Sequence, residues 1–406
     1  MLRVLTLSTL FPDATRPNFG VFVERQALSL AALNDVEVQV VAPIGIAPWP
    51  VAMHPRYRAL AGLARAEQWR GIAVHRPRFV NLPGTRGRFH ATSLIRALTP
   101  LLDRIGRDFA FDVIDASFFF PDGVAAVALG ERFGVPVSIK ARGADVHHWG
   151  TARATKAQVR RAAARADGLL AVSEAMADDV AALGVTRDRV LVHHTGVDQT
   201  RFAPADRAAA KAALGLSGPL VVSVGALIPR KGHDVAIRAV ARLPGVSLMI
   251  AGDGAERARL AATIARCAAG DRITLQGSVA HDSLPALFAA ADVLALASSS
   301  EGLANAWVEA LASGTPIVIT DVGGAREVVD RAAAGRIVRR DPEAFARAIA
   351  DVLADRPDPW AVRAVAERFT WERNADALRE HLAGLVANYR AGFPTREPVP
   401  DRYSAA

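Results

Sequence analysis

The sequence predicts an α/β protein made of two doubly wound halves. Short apolar runs alternate with longer stretches of helical period, the alternation breaks once near residue 200 and then restarts, and 406 residues are enough for two or three domains. In the first half, residues 3–7, 37–41, 112–115, 135–139, 169–172 and 190–193 read as buried strands, being short and rich in Val, Ile and Leu. Between them, 22–33, 124–133 and 160–166 carry helical period. Strands separated by helices pair in parallel, with helices covering both sheet faces. The stretch "HHTGVDQTRFAPAD" interrupts the pattern with turn residues and a proline. A second series follows at 220–224, 247–251, 272–276, 293–297 and 317–320. From 341 to 389 the chain reads as helix throughout, and the last fifteen residues or so, rich in Pro and charge, as a loose tail.

Composition narrows the class. With 51% apolar and 22% charged residues the chain is that of an ordinary globular protein with a sizeable core. Its one cysteine, Cys267, excludes an internal disulfide and a multi-cysteine metal site, fits a reducing compartment, and reads as a small core hydrophobe. The opening "MLRVLTLSTLFPD" is broken too early by Pro12 and Asp13 to be a signal peptide, and no run reaches the roughly 18 apolar residues of a membrane span. A protein that is soluble or lies on a surface is expected.

The net charge of +8 is uneven: residues 1–197 hold 24 Lys and Arg against 17 Asp and Glu, whereas 198–406 hold 25 against 24. Within 54–107 eleven arginines face only Glu67 and Asp103. Such asymmetry suggests an anionic partner for the first half: membrane headgroups, a polyanionic acceptor or nucleic acid. An arginine-rich composition displayed on solvated faces accounts for it equally well.

Loops at the carboxyl ends of the strands are where ligands bind in open α/β sheets. The first strand leads into "STLFPDATRPNFGVFVERQ", where Gly20 opens a helix and its flanking amides could face an anion; the G-x-G-x-x-G fingerprint of nicotinamide and flavin sites is missing. The loop in "SIKARGADVHHW" gathers Lys140, Arg142, Asp145, His147 and His148. Adjacent histidines rarely face one ion, so that pair reads as solvated beside Trp149, and His193 and His194 read as structural. In "VVSVGALIPRKGHD" a strand, a turn at Gly225 and the cations Arg230 and Lys231 before a helix have the parts of a diphosphate cradle, without the nucleotide loop of kinases and NTPases. Gly252 and Gly254 in "MIAGDGAER" repeat the turn chemistry.

The stretch "SSSEGLANAWVEALASGTPIV" places Glu301 at a strand's carboxyl edge and Glu309 about two helical turns on. Up to about 12 Å can separate them, which is wide for carboxylates flanking one scissile bond, expected at about 5–9.5 Å. The spacing suits two grips on one extended ligand: carboxylates accept from sugar hydroxyls, while the amides near Ala304, Asn305 and Ala306 face an anion. The plain alternative is a Glu301 that favours the helix start and a solvated Glu309.

These motifs, in order, resemble the retaining nucleotide-sugar glycosyltransferases of family 4, of GT-B architecture: two Rossmann-like domains facing across a cleft. The resemblance covers nearly the whole chain and rests on "LFPDATRPNFGVFVERQ", "FPDGVAA", "ARGADV", "HTGVD" with "RF", "VGALIPRKG", "AGDG", "EGLANAWVEALASGTPIV" and "VGGAREVV". It implies an acceptor-side domain over 1–197, a nucleotide-sugar domain over 198–368, a helix at 369–391 crossing back to the first domain, and a tail at 392–406. It further implies that Glu309 binds the ribose, that Glu301 lies near the transferred sugar with Arg142 and Asp145, that amides around Asn305 and Ala306 hold sugar hydroxyls and phosphate, that Lys231 clamps the diphosphate near Gly225 and Gly252, and that Gly20 approaches it from the other domain. Two departures stand out: Ala226 occupies a position that is Arg in many members, leaving the second cationic role to Arg230, and Arg142 stands where many have His.

The implied chemistry is front-side attack, in which the leaving diphosphate helps to deprotonate the acceptor, so no protein base is assigned. Growing charge on the diphosphate would be stabilised by Arg230, Lys231 and helix-start amides. No Asp-x-Asp occurs, in keeping with a metal-free site, and no cofactor beyond the donor is expected. The expected partners are a nucleoside-diphosphate sugar, a lipid-linked or oligosaccharide acceptor in cell-envelope or exopolysaccharide synthesis, and an anionic membrane surface reached from the cytoplasm; nucleic acid is not expected. A sugar-nucleotide epimerase, a glycogen-type phosphorylase and a non-enzymatic polyanion-binding protein are the rival readings.

Overall fold

The computed structural model describes residues 1–392, so most of the tail expected at 392–406 lies outside the described residues. The chain forms two compact units, one from Met1–His194 together with the segment from Trp371 onward, the other from Thr195–Thr370.

The strands of the first unit are β1 (Leu2–Leu7), β2 (Val36–Val41), β3 (Ile44–Ile46), β4 (Ala66–Trp69), β5 (Ile72–His75), β6 (Arg78–Val80), β7 (Val113–Ala116), β8 (Val137–Ala141), β9 (Gly168–Ala171) and β10 (Val190–Val192). Eight of them form a sheet in the order β10-β9-β8-β7-β1-β2-β5-β4, parallel except for the β4–β5 hairpin, while β3 and β6 pair apart. The second unit contributes β11 (Leu220–Val224), β12 (Ser247–Ala251), β13 (Ile273–Gly277), β14 (Val293–Leu296), β15 (Ile317–Ile319) and β16 (Gly335–Ile337), all parallel, in the order β13-β12-β11-β14-β15-β16. In both sheets the first strand of the unit lies inside, and the chain winds outward from it in both directions. The point of reversal falls between β1 and β7 in one unit and between β11 and β14 in the other, which is where such sheets open a crevice at their carboxyl edge.

Each buried strand predicted from its apolar run is present within two residues of its expected ends. Five strands were not foreseen. β3, β6 and β16 are three residues long, and β4 alternates exposed and half-buried positions at the sheet edge, so none offers a run of apolar residues. The hairpin between β4 and β5 turns on Arg70 and Gly71, both at positive φ.

The expectation of continuous helix from 341 to 389 is corrected to three helices, Pro342–Asp355, Pro359–Arg363 and Trp371–Arg390. Arg356 adopts a left-handed conformation at φ 43°, Pro357 follows it, and Asp358 then caps the next helix by accepting from the Ala361 amide at 2.9 Å. A proline cannot continue a helix, and its predecessor is pushed out of helical geometry.

The last helix completes the first unit's core. Leu378, Leu382, Leu385 and Val386 recur at helical spacing on one face and pack with Ala27, Leu30, Val38 and Val40. In the second unit Val221, Leu248, Ile250 and Val293 meet Ile237, Phe345 and Ile349 from flanking helices.

Candidate functional site

At the second unit's reversal point, β11 is followed by Gly225 and β14 by the stretch leading to Ser298, so the loops that follow these paired strands are neighbours. Gly225 sits at φ 151°, with the Lys231 side chain lying across it, 3.4 Å from where a Cβ would stand. Gly252, just after β12, backs onto the Gly225 carbonyl so closely that any side chain would collide with it. Glycine is needed here for backbone packing as well as for positive φ. His233 holds the same turn from inside: Nδ1 accepts from Ser223 Oγ at 2.9 Å and Nε2 donates to the Ala226 carbonyl at 3.3 Å. Burial and the neighbouring Lys231 charge push its pKa down to about 4, against hydrogen bonds that favour the cation, so the ring is neutral at physiological pH.

The two loops are joined by Glu301, which is only 7% exposed. Its Oε1 receives Lys231 Nζ at 2.6 Å and Ser298 Oγ at 2.7 Å, and its Oε2 receives Arg230 Nη1 at 3.1 Å. Arg230 also donates to the Ser300 carbonyl at 2.6 Å, while the Ser299 amide donates to the Arg230 carbonyl at 2.8 Å. Burial by itself would raise the Glu301 carboxyl; the Lys231 and Arg230 charges and the hydrogen bonds from Lys231 and Ser298 outweigh it and hold the group below its ordinary value. A buried carboxylate with two cations is stable only while the set is complete.

The helix Asn305–Ala312 starts four residues beyond Glu301 with no side-chain cap, and its Asn305 and Ala306 amides have no acceptor among the described residues. These open amides carry the positive end of the helix dipole. One to two turns on, Glu309 is 9% exposed, and its Oε1 receives His281 Nε2 at 2.9 Å; Phe202 packs edge-on against that imidazole, with ring centroids 5.7 Å apart. Glu309 is thus buried and oriented by a histidine, which the plain alternative of a solvated side chain did not allow for.

The residues expected in the first unit are placed differently. Asp145 is fully buried; Oδ1 accepts from the amides of Gly143 (2.8 Å) and Arg142 (3.1 Å), and Oδ2 from that of Phe119 (3.1 Å). It fixes the loop after β8 and has little left to offer a ligand. Arg142 reaches the Ser117 carbonyl through Nε (2.8 Å) and Gln26 Oε1 through Nη2 (3.1 Å), and its guanidinium lies 4.8 Å from the centre of the Phe22 ring. Burial lowers its pKa to about 10, opposed by Asp115 and Asp145, and the residue is still a cation at neutral pH. Gly20, at φ 75°, begins the helix Val21–Ala31, and its nearest neighbour is the Leu10 backbone: a Cβ would stand 2.5 Å from the Leu10 carbonyl. Lys140, expected in the loop, lies inside β8 with no exposure, donating to His193 Nδ1 at 2.7 Å and Gln26 Oε1 at 3.1 Å. His193 in turn donates to the Asn374 carbonyl at 2.8 Å, giving it a structural place.

The geometry therefore brings Gly225, Gly252, Arg230, Lys231 and Glu301 together in the second unit, with Asn305, Ala306 and Glu309 along one helix. Sequence reasoning missed Ser298, His233 and His281. His233 stands two positions after Lys231 in a segment already singled out, whereas His281 lies 28 positions from Glu309 and only the fold brings them together. Among the described residues no group of three or more His, Cys, Asp or Glu side chains is placed to hold a metal ion.

Comparison with known proteins bears on the family and the fold. Residues 20–201 match the family model described as Glycosyltransferase Family 4, and 206–370 that described as Glycosyl transferases group 1. A D-inositol 3-phosphate glycosyltransferase from Mycolicibacterium gilvum is 37% identical over 213 residues, 50% of this chain and 48% of its own length. The enzyme of the same description from Mycolicibacterium smegmatis is 36% identical over 242 residues, 56% of this chain and 55% of its own. The chain spans about half the length of the curated relatives it matches. Among solved structures, sucrose-phosphate synthase from Thermosynechococcus elongatus superposes with a TM-score of 0.79 at 21% identity, covering 95% of this chain and 100% of the other. Anabaena HepE in complex with UDP-glucose superposes at 0.73 with 20% identity, covering 95% and 100%.

Proposed function

Because the chain belongs to the family 4 glycosyltransferases and has their GT-B fold, we propose that it moves a hexose, with retention of configuration, from a nucleoside-diphosphate sugar to a lipid-linked or polysaccharide acceptor. The observation that carries this reading is the convergence, at the second unit's reversal point, of two cations, a run of uncapped helix amides and two oriented glutamates. That HepE, a protein of the same fold, was crystallised with UDP-glucose supports a donor of this class.

In this reading Glu309 accepts from the ribose through the oxygen that His281 leaves open, and the diphosphate lies between Lys231 and the Asn305 and Ala306 amides. Lys231 is shared: an incoming diphosphate draws it from Glu301, which keeps Arg230 and Ser298. As the glycosidic bond breaks, these groups, fixed before the reaction starts, stabilise the charge gathering on the leaving diphosphate. That charge can take the acceptor proton, so neither a protein base nor a metal is needed. We assign acceptor selection to the first unit, with Arg142 as a cation beside it.

We also infer attachment to an anionic leaflet on the cytoplasmic side through the basic segment 54–107, flanked by the exposed Trp49 and Met53. No helix among the described residues is long and apolar enough to cross a membrane. Co-sedimentation with anionic but not neutral vesicles at low salt checks this.

The deciding experiment is a thermal-shift series with UDP, GDP, ADP and their sugars. One nucleoside diphosphate should raise Tm, corresponding to about 2.7 kcal/mol at a hundred times its Kd, and Glu309→Ala should abolish the shift. No stabilisation by any of them would end this reading. With donor and acceptor identified, the anomeric proton coupling of the product reports retention.

A further inference from the structure

A second concave site lies in the first unit, formed by the face of β2 and β5 and the helix His90–Asp108. It is a recess of about 610 Å³. Its floor is formed by the small side chains of Ala66 and Ala73, and its walls carry Arg65, Arg78, Arg104 and His75 against a single carboxylate, Asp108. Gln39 pairs with Ala73 in the β2–β5 register, and its Oε1 receives His75 Nε2 at 3.1 Å, which leaves Nδ1 of that ring available.

The arginines differ in what they do. Arg78 is committed to structure, donating to the carbonyls of Leu60, Ala61, Leu63, Ala64 and Arg76 at the end of the helix Pro55–Ala61. Arg65 and Arg104 make no side-chain hydrogen bond or ion pair with any of the described residues. Their charges are nevertheless felt. Burial first, then the Arg65 and Arg76 charges, pushes Arg78 below its ordinary pKa, and burial with the Arg104 charge does the same to His75. Elsewhere in the segment a carboxylate offsets a guanidinium, as where Glu67 receives Arg76 at 2.5 Å. Here none does, and repulsion among like charges around a recess is a cost that an anion would remove. Guanidinium forks match phosphate oxygens, and such charge-assisted bonds are the strong ones.

We propose that this recess binds a phosphate monoester, with Arg65 and Arg104 on its oxygens, the esterified group over the alanine floor and His75, protonated when the anion binds, as a further donor through Nδ1. The ligand chemistry is the same whether the phosphate belongs to a free metabolite or to a phosphatidate-type headgroup. The proposal does not depend on the donor reading, because none of these residues belongs to the second unit.

The test uses the full chain with its histidines labelled with ¹⁵N. Titration with glycerol 3-phosphate, and separately with inorganic phosphate, should move the His75 ring signals saturably. It should raise the pH at which they titrate, because a bound anion favours imidazolium. Arg65→Gln and Arg104→Gln should each weaken the apparent Kd about tenfold, the loss of one charge-assisted hydrogen bond. Both residues are exposed, so the variants should keep the wild-type Tm and the wild-type nucleotide shift. Lys231→Ala should leave the His75 response intact while losing the nucleotide shift, separating the two sites. Vesicles of phosphatidylcholine containing phosphatidic acid distinguish the source: at a headgroup site they move the His75 signals and both arginine variants weaken co-sedimentation, whereas at a metabolite site they leave the His75 signals unmoved and co-sedimentation through the wider basic segment is unchanged in both variants. If neither soluble probe nor vesicle moves the His75 signals, or if the response survives unchanged in both arginine variants, the proposal is wrong.

Discussion

Glu301 is a buried carboxylate whose charge is kept by Lys231 and Arg230, and its removal should separate two effects. In Glu301→Gln the two cations lose their counter-charge, so stability should fall by about 3 kcal/mol. Lys231 is then free, so a nucleoside diphosphate should bind at least as tightly as before while turnover collapses; calorimetry and initial rates read the two halves. His281 acts through Glu309. His281→Ala should raise the donor KM about fivefold, the worth of one orienting hydrogen bond, with a smaller change in kcat. His233 carries a pH prediction. Its folded pKa of about 4 lies below the ordinary value near 6.5, so in that window the unfolded chain binds the extra proton. The neutral ring's contribution is whole above pH 6.5 and is lost as pH falls towards 4. Urea unfolding of the wild type and His233→Gln across this window should converge at low pH, the variant showing the shallower slope.

At the scale of elements, the site is made by strand ends that nest without side chains. Gly252→Ala would place a methyl group against the Gly225 carbonyl at φ 153°, where both sterics and backbone conformation oppose it. A loss of about 2–4 kcal/mol is expected, together with weaker nucleotide binding as Gly225 and Lys231 shift; denaturant midpoints and thermal shifts measure both. The helix Asn305–Ala312 contributes in two ways, with open amides at its start and a buried glutamate on its inward face. Its sequence, mostly small and apolar, shows why: the helix is buried nearly all round, so a charged residue inside it needs a partner, which His281 supplies from another loop.

Two units with separate cores should respond separately. Leu382 has no exposure and packs in the first unit's core, so Leu382→Ala should cost about 2–5 kcal/mol there. The nucleotide-induced shift, which belongs to the second unit, should persist in that variant. Calorimetry should accordingly resolve two transitions, only the later-numbered unit's moving with nucleoside diphosphate. That the last helix belongs to the first unit follows from its apolar face, Leu378, Leu382, Leu385 and Val386, and from Asn374, whose amide donates to the His194 carbonyl at 2.6 Å.

Much of this was legible in the chain. Alternating apolar runs and helical stretches determine parallel sheets, because strands buried on both faces must be apolar throughout, and the break near residue 200 divides them in two. The order of motifs carried the family, and the placement of Lys231 and Glu301 in loops after strands and of Glu309 on the helix that follows is read from local pattern alone. Edge strands such as β4 were hidden because an edge needs no apolar run. The tertiary structure alone decided who partners whom: that Glu301 spends its charge on Lys231 and Arg230, that His281 orients Glu309, that Asp145 serves its own loop, and that Arg65 and Arg104 face one recess without an ion-pair partner among the described residues. Local pattern reports how a segment meets water, whereas hydrogen bonds and ion pairs depend on distances between segments far apart in sequence, and only the fold sets those.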